Sequence, residues 1–349
     1  MRFAFRGLRT LLCLTLCLGS FLATTTWIGS RTPDQLKLRW FQGQKDAVDV
    51  VFLGSSHVLR QVDPAVFDRE RGVAEGEAHA INLGLQWMGL PEEFYLLQRL
   101  LEDKPQQLRW VVVEARSFLS GMPGEERNDF TSRRLDWHTA EITALLLSEL
   151  RHQDLPSEEK WALVERHVEH WWRRTINLGR GVEAWQACLD PAPDAWHTED
   201  SLGPDRNGYF PLSMPLTDEL ILERRQRFLD RPGRLQKAVR DLMEAGDGGE
   251  ADPGQLALVQ GMEALAQEHQ VGLIWWVHPG LDRLAGWRQL LADGEIKHLL
   301  AYDDPARFPD YYRRDLHFDF THLNRRGSGL MTKRLAQDFL RLTRSDDAR

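Results

Sequence analysis

The chain has 349 residues, of which 42% are hydrophobic and 28% are charged, and this composition is typical of a folded globular protein rather than a disordered or fibrous one. Its 44 basic and 52 acidic residues give a net charge of −8, which argues against a nucleic-acid-binding protein. Three cysteines exclude a disulfide framework, whereas 13 tryptophans are an unusually large number.

Residues 1–31 have the pattern of a membrane anchor or signal segment. Three arginines precede an uncharged run at residues 10–30, and Arg31 ends it. About 20 apolar residues span a bilayer core as a helix, so we expect an uncleaved anchor. A cleaved signal peptide and a helix buried in a soluble core are the alternatives. A short N-terminus most often stays inside, which in a bacterium implies a single-pass protein of the inner membrane with its large part in the periplasm.

Residues 45–349 show strands that alternate with helices. Apolar runs predict strands at residues 49–53, 80–83, 110–113, 271–277 and 296–302. Helical periodicity predicts helices at residues 91–102, 256–270, 281–291 and 324–342. Strands that are apolar almost throughout indicate a parallel sheet covered on both faces, which is an α/β fold of three layers.

This alternation stops at residues 118–254. The stretch is mostly helical in pattern and carries six of the tryptophans, including Trp161 and Trp172. We interpret it as a helical, Trp-rich insertion into the α/β domain, with a flexible linker at residues 246–254. Most of its tryptophans are expected to pack in a core or cap, although stacking on sugars is the alternative.

The first motif with chemical potential is Gly54, Ser55 and Ser56, directly after the first predicted strand. A serine there lies at the edge where open α/β sheets bind ligands, and near a helix N-terminus whose N–H groups stabilise negative charge. A plain turn with an N-cap serine is the alternative interpretation.

The second motif is Asp319 and His322, just before the last predicted helix. A serine nucleophile needs a base, and the base needs an orienting carboxylate. Taken alone, a capping aspartate next to a solvated histidine explains the same spacing.

Together, in this order, the two motifs resemble those of the SGNH (GDSL-type) hydrolase family. The resemblance implies a flavodoxin-like three-layer fold, in which Ser56 is the nucleophile, His322 the base and Asp319 the orienting carboxylate. The run from Ile81 to Gly84 is similar to the second conserved block of the family. The resemblance therefore implies that the backbone N–H groups of Ser56 and Gly84 stabilise the oxyanion.

The third block of the family, Gly-x-Asn-Asp, is not matched. Here the third strand is followed by Glu114, Ala115, Arg116 and Ser117, without an asparagine. Arg116 is a candidate electrostatic substitute for the missing donor. His278, after the fourth predicted strand, is a candidate residue of the pocket rim.

The N-terminal segment, the Gly-Ser-Ser variant and the insertion are similar to those of membrane-anchored SGNH-like proteins that work with membrane-bound O-acyltransferases. This resemblance implies a serine esterase or O-acyltransferase acting on acyl, mainly acetyl, esters of a cell-envelope or secreted polysaccharide. It implies a carbohydrate polymer or acyl ester as substrate, a membrane-bound O-acyltransferase as partner, and neither a metal nor an organic cofactor. The alternative is a catalytically degenerate scaffold that binds a glycan or holds the membrane O-acyltransferase.

Two further sets of residues are expected to be solvated. His167 and His170 have i, i+3 spacing on a predicted helix, but a zinc site needs more ligands. The arginine run from Arg224 to Arg234 is mixed with acidic residues, which favours an exposed helix over a polyanion site.

Overall fold

The computed structural model describes residues 2–29, 33–116, 139–151, 155–176, 202–212, 219–244 and 253–347. Within these residues the strands are β1 (Val48–Leu53), β2 (His79–Asn82), β3 (Trp110–Glu114), β4 (Gly272–Val277) and β5 (Leu299–Ala301). The helices are α1 (Arg2–Gly29), α2 (Pro33–Gln42), α3 (Ser56–Gln61), α4 (Pro64–Arg71), α5 (Leu90–Glu102), α6 (Ala140–Leu150), α7 (Ser157–Ile176), α8 (Glu219–Asp230), α9 (Pro232–Glu244), α10 (Pro253–Glu268), α11 (Ala285–Ala292) and α12 (Arg325–Asp347).

The described strands form one parallel sheet in the order β2-β1-β3-β4-β5. In this register Val51 of β1 aligns with Ile81 of β2 and with Val111 of β3. The winding reverses between β1 and β3, and the crevice outside the carboxyl ends of such strands is where open α/β sheets bind ligands. Helices pack on both faces of the sheet, which confirms the predicted three-layer α/β fold.

Alternate side chains of each strand enter two separate cores, one on each face of the sheet. In β1, Val51 packs in the core formed with α5 and α10, whereas Phe52 packs in the core formed with α4 and α12. In β4, Trp275 and Trp276 enter opposite cores and are both fully buried. Burial on both faces explains why these strands are apolar almost throughout.

All five predicted strands are present, with shifted ends. The last one is shorter than residues 296–302, because Gly294 and Glu295 close a turn after α11, with the Glu295 N–H donating to the Leu290 carbonyl at 2.9 Å. The helix predicted at residues 281–291 begins at Ala285, where Asp303 accepts the N–H of the preceding Leu284 at 2.9 Å. Helices α2, α3 and α4 are additional to those that the sequence patterns predict.

Helix α1 contains the uncharged N-terminal run. Its described leucines at positions 8, 11, 12, 14, 16 and 18 are all exposed, as are Cys13 and Cys17. Among the helices of the described residues, none reaches the combined length and apolarity required for a membrane span. The anchor therefore stays a prediction.

The described parts of the predicted insertion contain the helices α6, α7, α8 and α9, as the sequence pattern indicates. One expectation on α7 is wrong. His167 and His170 are buried rather than solvated, because their face of the helix turns inward. Trp161 and Trp172 are exposed, because they lie on the outer face, so these two are not among the tryptophans that pack. Three further insertion tryptophans (Trp137, Trp185 and Trp196), Cys188 and most of the predicted linker lie outside the described residues.

Residues 202–212 pack along the edge of the sheet beside β2. The backbone N–H of Asn82 donates to the Asn207 carbonyl at 3.0 Å, and the N–H of Phe210 donates to the Leu59 carbonyl at 2.9 Å. Lys37 of α2 reaches the same place, where its Nζ donates to the carbonyls of Asn82, Gly84 and Gly208 at 3.2, 2.7 and 3.0 Å. This buried ammonium group therefore joins α2, the end of β2 and the insertion.

Candidate active site

The turn between β1 and α3 places Ser56 at the carboxyl edge of the sheet. Ser55 is the N-cap residue of α3, and its Oγ accepts the backbone N–H of His57 at 3.3 Å. A Cβ atom on the preceding Gly54 would lie 2.4 Å from Cγ2 of Val58, so this turn requires glycine. Ser56 is thereby the first residue of α3.

Asp319 closes the turn that precedes α12. Its Oδ1 accepts the backbone N–H groups of Thr321 and His322 at 2.8 and 2.7 Å, and the Thr321 hydroxyl at 3.1 Å. These bonds fix the carboxylate against the imidazole of His322, where Oδ2 lies 3.0 Å from Nδ1. The capping contacts and the contact with the histidine ring therefore come from the same carboxylate.

Ser56, His322 and Asp319 are brought together by the fold. Nε2 of His322 lies 2.9 Å from Oγ of Ser56, across 266 positions of sequence. Asp319 and His322 are buried, whereas Ser56 is partly exposed. The order hydroxyl, imidazole, carboxylate has the geometry of a nucleophile, its base and the group that orients the base.

The surroundings set the charge of each group. Burial raises the pKa of Asp319, but His322 and the two backbone N–H donors outweigh it, so the net pKa lies below its usual range. Burial lowers the pKa of His322, Asp319 partly offsets this, and His57 and Arg224 lower it further. At neutral pH, Asp319 is therefore ionised and His322 is neutral, with its proton on Nδ1. The lone pair of Nε2 then faces the Ser56 hydroxyl, as a general base requires.

Gly84, which the family resemblance implies as an oxyanion donor, follows β2 and packs against α3. Its N–H donates to Oδ1 of Asn82 at 2.8 Å, and Asn82 donates in turn to the carbonyls of Val58 and Val62 at 2.7 and 2.8 Å. A Cβ atom at Gly84 would lie 2.5 Å from the backbone nitrogen of Leu59. Close packing against α3 therefore explains why this residue is glycine. Its N–H is bonded to Asn82 and does not point freely toward an oxyanion.

A second histidine–carboxylate pair, which the sequence analysis missed, lies beside the first. Glu114, the last residue of β3, is fully buried, and its Oε1 lies 2.9 Å from Nδ1 of His57. Its Oε2 accepts the backbone N–H of Ser55 at 2.6 Å. Burial raises the pKa of Glu114, but Arg116, His57 and His278 lower it more, so the net pKa lies below its usual range. The available sequence signals were a carboxylate that ends an apolar strand and a histidine directly after Ser56.

Both predicted pocket residues contact this second pair. The ring of His278 stacks on that of His57, with 3.5 Å between centroids and 18° between planes. Burial and His57 lower the pKa of His278 well below its usual range, so this ring is neutral. Nε of Arg116 lies 4.0 Å from Oε1 of Glu114, and its guanidinium donates to the Met88 carbonyl at 2.5 Å. Arg116 thus balances the charge of Glu114 at the end of β3.

Donor atoms of His57, Glu114 and His278 lie within 4.8 Å of one another, a spacing that a metal ion could bridge. A metal requires ligand lone pairs that converge on one point. The two stacked rings instead direct their lone pairs in nearly parallel planes, and the Arg116 cation lies against the carboxylate. The cluster therefore fits a hydrogen-bonded charge network better than a metal site.

Trp87 lies on the loop between β2 and α5, at the carboxyl edge of the sheet. It has a positive φ of 62°, which is strained for a bulky residue, and half of its surface is exposed. The guanidinium of Arg224 lies 5.8 Å from the centroid of its ring. The same cation lowers the pKa of His322, so Arg224 acts electrostatically on the triad.

Helix α8 also supports the turn that carries Asp319. Arg225 donates to the carbonyls of His317 and Phe318 at 3.1 and 2.6 Å, and its cation lies over the Phe318 ring. The expectation that the arginine run is merely a solvated helix is therefore wrong for this residue, which is partly buried against the turn.

Of the residues singled out in the sequence, Ser56, His322 and Asp319 are in contact, and His278 and Arg116 belong to the adjoining network. Comparison of the sequence with models of protein families found no matching family, and a search of curated proteins found no similar sequence. The functional proposals below rest on the geometry of the site and on the motifs that it contains.

Proposed function

We propose that this chain is a serine esterase or O-acyltransferase of the SGNH type, acting on acyl, mainly acetyl, esters of a cell-envelope or secreted polysaccharide. The observation that carries the proposal is the 2.9 Å contact of Ser56 Oγ with His322 Nε2, with Asp319 held against Nδ1. An activated serine at the same sheet edge as an exposed tryptophan suits an ester of a sugar, because aromatic rings pack on the apolar faces of sugars.

In the first half-reaction, Ser56 Oγ bonds to the acyl carbon while Nε2 of His322 takes the hydroxyl proton. The bond between the acyl carbon and the alcohol oxygen then breaks, and His322 returns the proton to that oxygen. Asp319 stabilises the imidazolium and holds its orientation. In the second half-reaction, the acceptor oxygen bonds to the acyl carbon while Nε2 of His322 takes its proton. The bond between the acyl carbon and Ser56 Oγ then breaks, and His322 returns the proton to Oγ. Water as acceptor gives hydrolysis, and a sugar hydroxyl gives transfer.

Negative charge develops on the carbonyl oxygen, and the backbone N–H of Ser56 is the proposed donor, because the first residue of a helix has no partner within the helix. Gly84 contributes a second donor only if its N–H leaves Asn82. Arg116 supplies positive charge at the end of β3, where the family has its asparagine. No metal or organic cofactor has a role in the proposed reaction.

Labelling with a serine-directed fluorophosphonate and turnover of an aryl acetate test the proposal. Ser56→Ala should abolish both, because it removes the attacking oxygen. Ser157→Ala, an exposed serine at the start of α7, is the matched control and should retain both. Unchanged labelling of Ser56→Ala would rule out Ser56 as the nucleophile.

We also propose that α1 anchors the chain as a single pass in a bacterial inner membrane, with the α/β domain in the periplasm and a membrane-bound O-acyltransferase as partner. The uncharged run and the exposed leucines of α1 support this placement. Replacement of residues 1–31 by a cleavable signal peptide should move the protein from the membrane fraction to the soluble periplasmic fraction. A full-length chain that is soluble without detergent would contradict the anchor.

The second candidate is a catalytically degenerate scaffold that binds a glycan or holds the membrane O-acyltransferase. It is favoured by the N–H of Gly84, which is bonded within the fold, and by Glu114, which stands in place of the third block. If it is correct, Ser56→Ala leaves acylation of the polymer in cells intact, whereas removal of residues 1–31 abolishes it. Loss of acylation in the point variant would exclude it.

A further inference from the structure

The pair formed by His57 and Glu114 has no part in the reaction described so far. We propose that Nε2 of His57 binds a second hydroxyl of the alcohol part of the substrate. The alcohol would then carry two oxygens on adjacent carbons, one esterified and one free, as in the vicinal diol of a sugar. This inference rests on the proposed esterase or transferase function and names the kind of alcohol that its site takes.

Glu114 fixes which nitrogen of His57 is free to bind a ligand. The carboxylate accepts from Nδ1 at 2.9 Å, so in the neutral form of the imidazole the proton lies on Nδ1 and the lone pair on Nε2. Glu114 is itself held by the Ser55 N–H at 2.6 Å and by the nearby Arg116. The imidazole is therefore oriented in the same way as His322, which Asp319 holds through Nδ1.

Within the described residues, Nε2 of His57 is buried and has no hydrogen-bond partner. Buried polar atoms are nearly always paired, and exceptions occur where a ligand completes the site. The side chain keeps 15% of its surface exposed, so the ring borders the cleft although Nε2 itself is covered. The stacked ring of His278 holds the imidazole in place at 3.5 Å and is itself neutral.

The ring of His57 lies beside the ring of the triad histidine. The ring centroids of His57 and His322 lie 5.2 Å apart, with 27° between the planes. The alcohol oxygen of the ester receives its proton from Nε2 of His322 when the ester bond breaks. A hydroxyl on the adjacent carbon lies about one hydrogen-bond length from that oxygen, and it donates to Nε2 of His57. His57 exchanges no proton in this step, so its role is to bind and position the alcohol.

Two small esters that differ by one methyl group test this contact. The alcohol of 2-hydroxyethyl acetate carries the free hydroxyl, whereas 2-methoxyethyl acetate has a methyl group on the same oxygen. The wild-type chain should prefer the first ester about tenfold in kcat/KM, because the second leaves a buried acceptor unpaired. Ester hydrolysis is a valid test for a hydrolase and for a transferase. In both, the alcohol that leaves in the first half-reaction occupies the position that the acceptor takes in the second.

His57→Asn should reduce this preference to about one. The asparagine amide keeps an N–H donor where Nδ1 donates to Glu114, but it has no group at the position of Nε2. His57→Gln, whose amide reaches the position of Nε2, should restore part of the preference. His269→Asn, which follows α10 at the opposite edge of the sheet, is the matched control and should keep the full preference.

The ratio of kcat/KM for the two esters distinguishes a lost substrate contact from a loss of folded protein, because misfolding lowers kcat/KM for both esters equally. Equal wild-type rates for the two esters, or an unchanged ratio in His57→Asn, would overturn the inference and leave the proposed function intact. A wild-type chain that is not labelled by fluorophosphonate would overturn the proposed function itself.

Discussion

Glu114 accepts the backbone N–H of Ser55 at 2.6 Å, so the end of β3 is joined directly to the turn that carries Ser56. The same carboxylate contacts His57 and lies 4.0 Å from Arg116. One buried anion therefore holds together the two strands that flank the ligand-binding crevice. Its removal should affect both the stability of the fold and the geometry of the nucleophile.

Glu114→Gln should destabilise the protein by about 3 kcal/mol, because it leaves the largely buried Arg116 without its carboxylate. Denaturant unfolding of the domain measures this free energy. Glu102→Gln is the matched control, since Glu102 and its partner Arg99 are exposed and their contribution should stay below about 1 kcal/mol. A similar small loss for both variants would mean that Glu114 has no special role in stability.

The pH dependence of activity should reflect the lowered pKa of His322. The base must be neutral, so kcat/KM falls as the pH drops through this pKa, and the acidic limb should lie below the usual histidine value of about 6.5. Arg224→Gln should move the limb to higher pH, because it removes a cation that disfavours the imidazolium.

Arg227→Gln is the matched control for that shift. Arg227 lies on the same helix but is exposed and paired with Glu223, so its loss should leave the limb in place. Identical acidic limbs for Arg224→Gln and the wild-type chain would show that this cation does not act on His322.

Trp87→Gly should stabilise the backbone by about 1 kcal/mol, since glycine adopts a positive φ without strain. The same change should raise KM for an acetylated oligosaccharide about three- to tenfold, because it removes the exposed ring from the carboxyl edge of the sheet. Thermal unfolding and steady-state kinetics measure the two effects.

Trp161→Ala, an exposed tryptophan of α7, serves as the control and should leave KM for the oligosaccharide unchanged. A loss of stability without any change in KM would indicate that Trp87 packs the loop and does not contact the substrate.

Lys37→Met should destabilise the protein by at least about 2 kcal/mol, because three buried carbonyls lose their donor. Burial and the nearby Arg60 lower the pKa of Lys37 well below its usual range. The three hydrogen bonds to carbonyls offset the cost of burying its polar group. Lys237→Met removes an exposed ion pair on α9 and should cost less than about 1 kcal/mol. Denaturant unfolding compares the two, and equal losses would contradict a role for the buried contacts.

The triad could be predicted because its spacing reflects local turns. A glycine followed by two serines after an apolar strand gives the turn before α3, and Asp319 caps the turn that contains His322. Each motif alone also fits an ordinary helix cap, and only their resemblance, taken together, to the motifs of the SGNH family predicted that they form one site.

The network around Glu114 could not be predicted in the same way. Its members come from the ends of β1, β3 and β4, and the contact of Glu114 with His57 depends on side-chain packing rather than on spacing. The partner of the Gly84 N–H could not be predicted either. In the sequence, Asn82 is an ordinary strand residue, and only the structure shows that its side chain accepts this N–H.

The contacts of residues 202–212 with β2 also limit how the chain could be shortened. This segment covers an outer strand of the sheet through the bond from Asn82 to Asn207, and it supplies the Gly208 carbonyl that Lys37 binds. A truncated protein that joins β3 directly to α10 would expose an unpaired strand to neighbouring molecules, and such edges promote aggregation. Residues 202–212 are thus a structural part of the α/β domain, and a shortened chain should retain them.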